Sequence, residues 1–150
     1  LLSFVNEAED STRRYYLKRY HLKDEAIQPL PLRPQNQAYV DYMLRTAQNA
    51  DDAADCMMAC LPCMLSYGWI FGQLLKTAPA VQSSPYATFV NDYAGNRYDS
   101  ICKAWADFTE AACANAAPER RAHRMEIFRS CSRHELHFWE MAARPRTDLD

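Results

Sequence analysis

Glycine is almost absent from this chain: Gly68, Gly72 and Gly95 are the only three among 150 residues. Glycine supplies the positive φ that tight strand-to-strand turns demand, so few glycines leave little room for hairpins. Prolines punctuate instead. Pro29, Pro31 and Pro34 lie close together, and Pro79, Pro85, Pro118 and Pro145 follow at wide spacing. Alternating β-branched runs are missing, and helical periodicity fills most of the space between the prolines. The expected fold class is all-α.

Six helices are expected. The first runs to about Tyr20, with Leu1, Phe4, Ala8, Tyr15 and Tyr16 among its apolar and aromatic positions, and a proline-rich loop follows from Gln28 to Gln35. The second spans roughly Asn36 to Gln48. Asp51-Asp52 starts a long third helix to about Lys76, acidic where the helix dipole is positive. Ser84-Pro85 opens the fourth, serine as cap and proline in the first turn. Asn96 caps a fifth, and Pro118-Glu119 opens a sixth that ends near Ala143. Pro62 falls inside the third helix; it cannot bond back to the Met58 carbonyl, so a kink is expected there.

Composition narrows the function classes. A net charge of −2 and a pI near 6.1 give no electrostatic footprint for nucleic acid or acidic membrane. By sequence, no apolar run is expected to reach the roughly 20 residues of a membrane span. The first residues, Leu1-Leu2-Ser3-Phe4-Val5, lack the charged start of a secretion signal. There is no initiator Met, and the chain opens within a helical pattern, so a fragment is expected. The six cysteines, Cys56, Cys60, Cys63, Cys102, Cys113 and Cys131, all sit in helical patterns, which favours reduced thiols and a cytoplasmic location.

Two stripes stand out. In the last helix Phe128, Cys131, Glu135, Phe138 and Ala142 recur at steps of three and four, a core-facing line with a glutamate at its centre. A buried charge is expensive, so such a carboxylate is either matched by partners or kept for chemistry. Tyr residues, His134 or Arg133 could satisfy it structurally, and both readings stand. In the long helix Cys56, Cys60, Cys63, Tyr67, Ile70 and Leu74 share one face, and the Pro62 kink can open a pocket beside Cys63. Cysteines are also good small core residues. Cys60-Leu61-Pro62-Cys63 is a CxxC, but a redox dithiol belongs at a helix start in an α/β fold. Zinc needs two more ligands, and His134 and His137 flank Glu135 without HExxH geometry. The Arg13-Arg14 and Arg120-Arg121 pairs read as solvated faces.

Tyr39, Tyr67, Tyr93 and Phe138 each lie on an apolar face of a different segment. Such rings are core in most proteins, but buried phenols must find hydrogen-bond partners. If the faces converge, they form an aromatic box with one carboxylate and one thiol, suited to a flat, nitrogen-rich heterocycle. Burial beside aromatics would raise the pKa of Glu135 toward neutrality, useful for acid–base work.

Four segments resemble a known family. Ala59-Cys60-Leu61-Pro62-Cys63-Met64-Leu65-Ser66-Tyr67-Gly68 is similar to the LPC-x-x-x-Y segment of the TenA/thiaminase II family. Ser84-Pro85-Tyr86-Ala87-Thr88-Phe89-Val90-Asn91-Asp92-Tyr93 resembles its PY-x-x-W-I-x-x-Y segment. Arg133-His134-Glu135-Leu136-His137-Phe138-Trp139-Glu140-Met141-Ala142 resembles its C-terminal YE-x-x-FW-x-MA, and Ala38-Tyr39-Val40-Asp41-Tyr42-Met43 its tyrosine-bearing helix. Ser66, Phe89 and His134 depart from the commoner family residues.

The resemblance implies a haem-oxygenase-like helical bundle, with residues 1–150 as the C-terminal two-thirds of one TenA-like domain and the N-terminal helices, including a substrate-contacting aspartate, without counterpart. It implies a homotetramer, a small pyrimidine or thiamine-derived substrate, and neither metal nor cofactor. The activity implied is that of a thiamine-salvage hydrolase, an aminopyrimidine aminohydrolase that can also cleave thiamine. By position Cys63 matches the nucleophile, Glu135 the acid–base carboxylate, and Tyr39, Tyr67, Tyr93 and Phe138 the pocket. Some family members are fused to a pyrimidine kinase. The rival expectation is a non-catalytic helical binding or storage protein with the same pocket, which would have no need of a thiol at Cys63.

Overall fold

The structure is a computed structural model that describes residues 10–146. These residues form seven α-helices and no strand: α1 Asp10–Arg19, α2 Asp24–Ile27, α3 Pro34–Gln48, α4 Ala53–Thr77, α5 Ala87–Tyr93, α6 Asn96–Ala114 and α7 Pro118–Ala142. The all-α expectation holds among the described residues. Leu1, Phe4 and Ala8, placed in the first helix from sequence, lie outside them.

Local chemistry explains the ends. At the close of α1, His21 adopts a left-handed φ of 57° and Leu22 N–H reaches back to Leu17 C=O at 2.8 Å, a Schellman-type stop. Proline begins both α3 and α7, where its missing N–H costs no helical bond. Asp52 Oδ1 accepts the Ala54 N–H at 2.9 Å, so the acidic pair caps α4 from just outside it. Gly95, at φ 149°, separates α5 from α6 in a conformation that side-chain-bearing residues rarely adopt.

Three expectations need correction. Ser84-Pro85 does not begin a helix: a 3₁₀ turn occupies Pro79–Ser83, the Ser84 hydroxyl accepts the Tyr86 N–H, and α5 starts only at Ala87. A serine hydroxyl can stabilise a turn as readily as a helix start. The short α2 lies before the proline-rich loop and was missed, being too brief for periodicity to reveal. And α4 runs unbroken through Pro62 for 25 residues, making it long and apolar enough by composition to cross a membrane. Its Met58, Ala59 and Leu61 instead lie in a core cluster, the ordinary use of such a helix in a folded domain.

The chain divides into two compact units. One comprises residues up to Pro31 with Gly68–Asp99. Here Phe71, Phe89, Tyr93 and Tyr98 pack ring on ring, with centroids 5.2–5.6 Å apart, and Thr12 of α1 bonds Asp92. The other comprises Leu32–Tyr67 and the residues from Ser100 onward. In it α3 packs on α7, and Tyr39, Met58, Ala59, Leu61, Ile127 and Cys131 form the core.

The buried lines differ from the stripes read in sequence. On α7 they are Arg124, Ile127, Cys131, Glu135 and Met141; Ala142 is exposed and Phe128 half-buried. On α4 the cysteine stripe is only half-buried throughout, while Ala54, Asp55, Met58, Ala59, Leu61 and Phe71 are buried. A helix apolar nearly all round offers no unique face to periodicity.

Candidate functional site

Glu135 occupies the place expected of it, on the inner face of α7, and is 6% exposed. Of the structural partners considered for it, Arg133 and His134 are engaged elsewhere. Arg133 turns to Glu126 at 2.9 Å and to Ser130, and His134 lies flat on the Tyr39 ring. Among the described residues no cation pairs with Glu135; its neighbours are neutral donors. Burial pushes its carboxyl above the ordinary carboxylate value, while the Tyr39 hydroxyl, the Cys63 thiol and the Trp139 indole each pull it partly back. Glu135 Oε2 and the Tyr39 hydroxyl are both sealed from solvent and neither closes a hydrogen bond of normal geometry. Buried polar atoms left in that condition are uncommon in folded proteins.

Three helices bring these groups together. Tyr39 comes from α3, Cys63 from α4 and Glu135 from α7. Burial, then the nearby carboxyl, drives the Tyr39 phenol above its ordinary range, so it remains a donor at any working pH. Cys63 is half-buried one residue past Pro62, and its carbonyl accepts the Ser66 hydroxyl at 3.0 Å. Behind this group Cys131 is fully enclosed, and burial, aided by Cys60 and Glu135, pushes its thiol up to about 12. A thiol so placed is inert packing. Burial, then Cys56, likewise raises Cys60. Cys60 and Cys63 sit in the body of α4, not at a helix start, and none of the six cysteines forms a disulfide. No three His, Cys, Asp or Glu side chains among the described residues are gathered to hold a metal.

The remaining predicted residues are divided. Tyr67 packs against Trp139, centroids 5.0 Å apart and planes tilted by 48°. Phe138 is half-buried on α7. Tyr93 belongs to the other unit, among Phe71, Phe89 and Tyr98. Trp139 was not singled out from sequence, although it lies four residues beyond Glu135 and hence on the same helix face. A recess of about 280 Å³ lined by Arg33, Gln35, His137, Glu140, Met141 and Arg144 contains none of the predicted residues. There the Arg33 guanidinium donates to the Met141 and Arg144 carbonyls at 2.8 and 3.1 Å, closing the C-terminal end of α7.

A second carboxylate was missed. Asp55, near the start of α4, is 0% exposed and receives both Arg124 Nε at 3.1 Å and the Arg120 guanidinium. Arg120 also binds Asp51, so it is not a solvated face as read from sequence. Extending the α7 stripe one turn back from Phe128 reaches Arg124, a signal that was there to be used.

Such a site, a protonatable carboxyl beside a reachable thiol and a phenol donor, is equipped for nucleophilic attack coupled to proton transfer. The chain is 28% identical over 147 residues to an aminopyrimidine aminohydrolase of Halalkalibacterium halodurans, a match covering 97% of this chain and 65% of that protein. Among solved structures it is similar to a TenA family transcription regulator from Silicibacter sp. TM1040, with a TM-score of 0.82 and 23% identity over 95% of this chain and 64% of the other. It is also similar to a TenA homologue from P. horikoshii OT3, with a TM-score of 0.75 and 26% identity over 91% and 62% of the two chains. The chain thus spans less than two thirds of each of these proteins. The fold shared with these neighbours is the helical haem-oxygenase-like one. The pattern of one family matches residues 5–145, nearly the whole length. The chain belongs to the TENA/THI-4/PQQC family.

Proposed function

We propose that this protein is an aminopyrimidine aminohydrolase of thiamine salvage, able also to cleave thiamine. The observation that carries the reading is a buried carboxyl, Glu135, with no cation beside it and with the Cys63 thiol and Tyr39 phenol among its neutral neighbours. A structural carboxylate in such a place would be paired; one reserved for proton transfer benefits from being left raised.

In the proposed reaction the Cys63 thiolate adds to an electron-poor pyrimidine carbon while Glu135 protonates the ring nitrogen. The negative charge that would build on the ring is thereby neutralised. The amine leaves as ammonia, and water attacks in turn to release the hydroxymethylpyrimidine and free the thiol. Tyr39, Tyr67 and Phe138 are the proposed aromatic and hydroxyl contacts for the ring. Neither metal nor cofactor enters this scheme. The same proposal takes the chain as the C-terminal two-thirds of a single TenA-like domain that assembles as a cytoplasmic homotetramer.

The test is ammonia release from an aminopyrimidine by the protein and by its Cys63→Ser and Glu135→Gln variants. Activity should be lost in both. A serine variant that still releases ammonia removes Cys63 from the chemistry. A protein that binds the pyrimidine without releasing ammonia supports the binding or storage reading instead.

A further inference from the structure

His134 is the residue beside the carboxylate that the reading above leaves without a task. Its imidazole lies parallel to the Tyr39 ring, centroids 5.3 Å apart and planes only 5° from each other. The Tyr42 ring stands 5.3 Å away on a 42° tilt. Two tyrosines one helical turn apart on α3 thus receive one side chain from α7, immediately before Glu135 in the sequence.

The geometry matters because of where a phenol keeps its oxygen. That oxygen lies on the long axis of the ring, so spinning the ring does not move it; only a swing of the whole side chain does. A flat neighbour face to face with the ring blocks the swing. Stacked aromatic contacts of this kind contribute about 0.5–1.5 kcal/mol beyond simple burial, enough to favour one placement several-fold. The phenol so fixed is one of the neighbours that draw Glu135 back toward its charged form, although its hydroxyl closes no hydrogen bond of normal geometry.

We propose that His134 is a positioning residue for the acid–base carboxylate: by stacking on Tyr39 it holds that phenol against Glu135. The inference rests on the functional reading above for its catalytic consequence, but its structural content stands without it.

The imidazole stacks as a neutral ring. Burial, followed by His137 and Arg133 on its own helix and Arg45 on α3, holds His134 below the ordinary histidine value. The groups facing it from α3 are therefore Tyr39, Tyr42 and Arg45, and none of them is an acid that would favour its protonated form. The role is accordingly one of shape, and another flat ring should perform it.

The experiment follows the Glu135 side-chain carboxyl by 13C NMR across pH in glutamate-labelled protein, its signal identified by its loss in Glu135→Gln. Ammonia release is measured on the same samples. His134→Ala should move the Glu135 titration midpoint upward, because the Tyr39 donor is no longer held in place. Tyr39→Phe should move it the same way, and the double variant no further than Tyr39→Phe alone, since both act through one hydroxyl. His134→Phe should restore the midpoint. In parallel kcat should fall by about threefold in His134→Ala, no further than in Tyr39→Phe, with KM little changed, and return in His134→Phe. His134→Gln, which keeps polarity but has no ring, gives the same reading should the alanine variant fail to fold. An unmoved midpoint in the ring-less variants, or shifts in the double variant that simply add, overturns the proposal. If no ammonia is released by the parent protein but the midpoints move as stated, the enzymatic reading fails and the positioning role stands.

Discussion

Two buried acids sit where α4 and α7 meet the core of the same unit, and they are treated in opposite ways. Asp55 is enclosed with Arg124, whose side chain is 5% exposed, and with Arg120, and it also accepts the Asp51 N–H at 3.3 Å. Every oxygen has a charged donor. Glu135 is nearly as well enclosed but is offered a phenol, a thiol and an indole. Formal pairing makes the first acid a fastener, its geometry fixed by two guanidinium groups. The absence of a cation beside the second keeps its proton affinity high, which a general acid requires and a fastener does not. The contrast separates structural from chemical carboxylates better than burial does, since by burial the two are alike.

The largest test of that contrast is on catalysis. Cys63→Ser should reduce ammonia release by about a thousandfold or more, and Glu135→Gln by about a hundredfold, while Asp55 variants that still fold should keep turnover. Comparable losses at Asp55 and Glu135 in folded protein would erase the distinction. Stability should show the reverse order. Asp55→Ala takes the buried acid away from Arg124 and Arg120, leaving them only the exposed Asp52 and Asp51, and should cost about 3–5 kcal/mol in urea unfolding.

Glu135→Gln should stabilise at neutral pH by about 1 kcal/mol, because it removes a charge that burial penalises. The sign with pH follows from linkage. The folded carboxyl holds its proton above 4.5, the ordinary value that the unfolded chain follows. Between 4.5 and the raised folded value the native state binds more protons, so the parent protein loses stability as pH rises through that window. The advantage of the glutamine variant should therefore grow with pH and vanish in acid. A stability difference independent of pH would mean Glu135 is not raised. The smallest effect is expected from Tyr39→Phe, which deletes one donor from the neutral cluster. Turnover should fall by about three- to tenfold with unfolding free energy changed by roughly 1 kcal/mol or less.

Much of the helical order was legible because it is local. Proline at the start of α7, an acidic cap before α4 and glycine after α5 act within a few residues and can be read locally, whereas α3 begins at Pro34, two residues earlier than expected. Periodicity placed Glu135 and Cys131 inside. It failed on α4, where Cys56, Cys60 and Cys63 made a convincing line that the fold only half buries, because the helix is apolar on several faces. It failed on Asp55 and Arg124 for a different reason. Ion pairs between residues 69 apart leave no mark in spacing, and an arginine pair at a helix start looks like any solvated surface. Trp139 and His134 were within the segment that resembles the family, yet which neighbour each meets depends on α3 and α4, not on α7.

The sequence by itself determined the helices, the burial of one glutamate and, through its likeness to a family, the thiol to set beside it. These follow from backbone preference and side-chain period, which are properties of short stretches. Only the tertiary structure decided which acid is neutralised and which is left with neutral donors. That depends on which side chains from distant helices arrive at each carboxylate, and a charge has no energy to speak of until its neighbours and its distance from water are fixed.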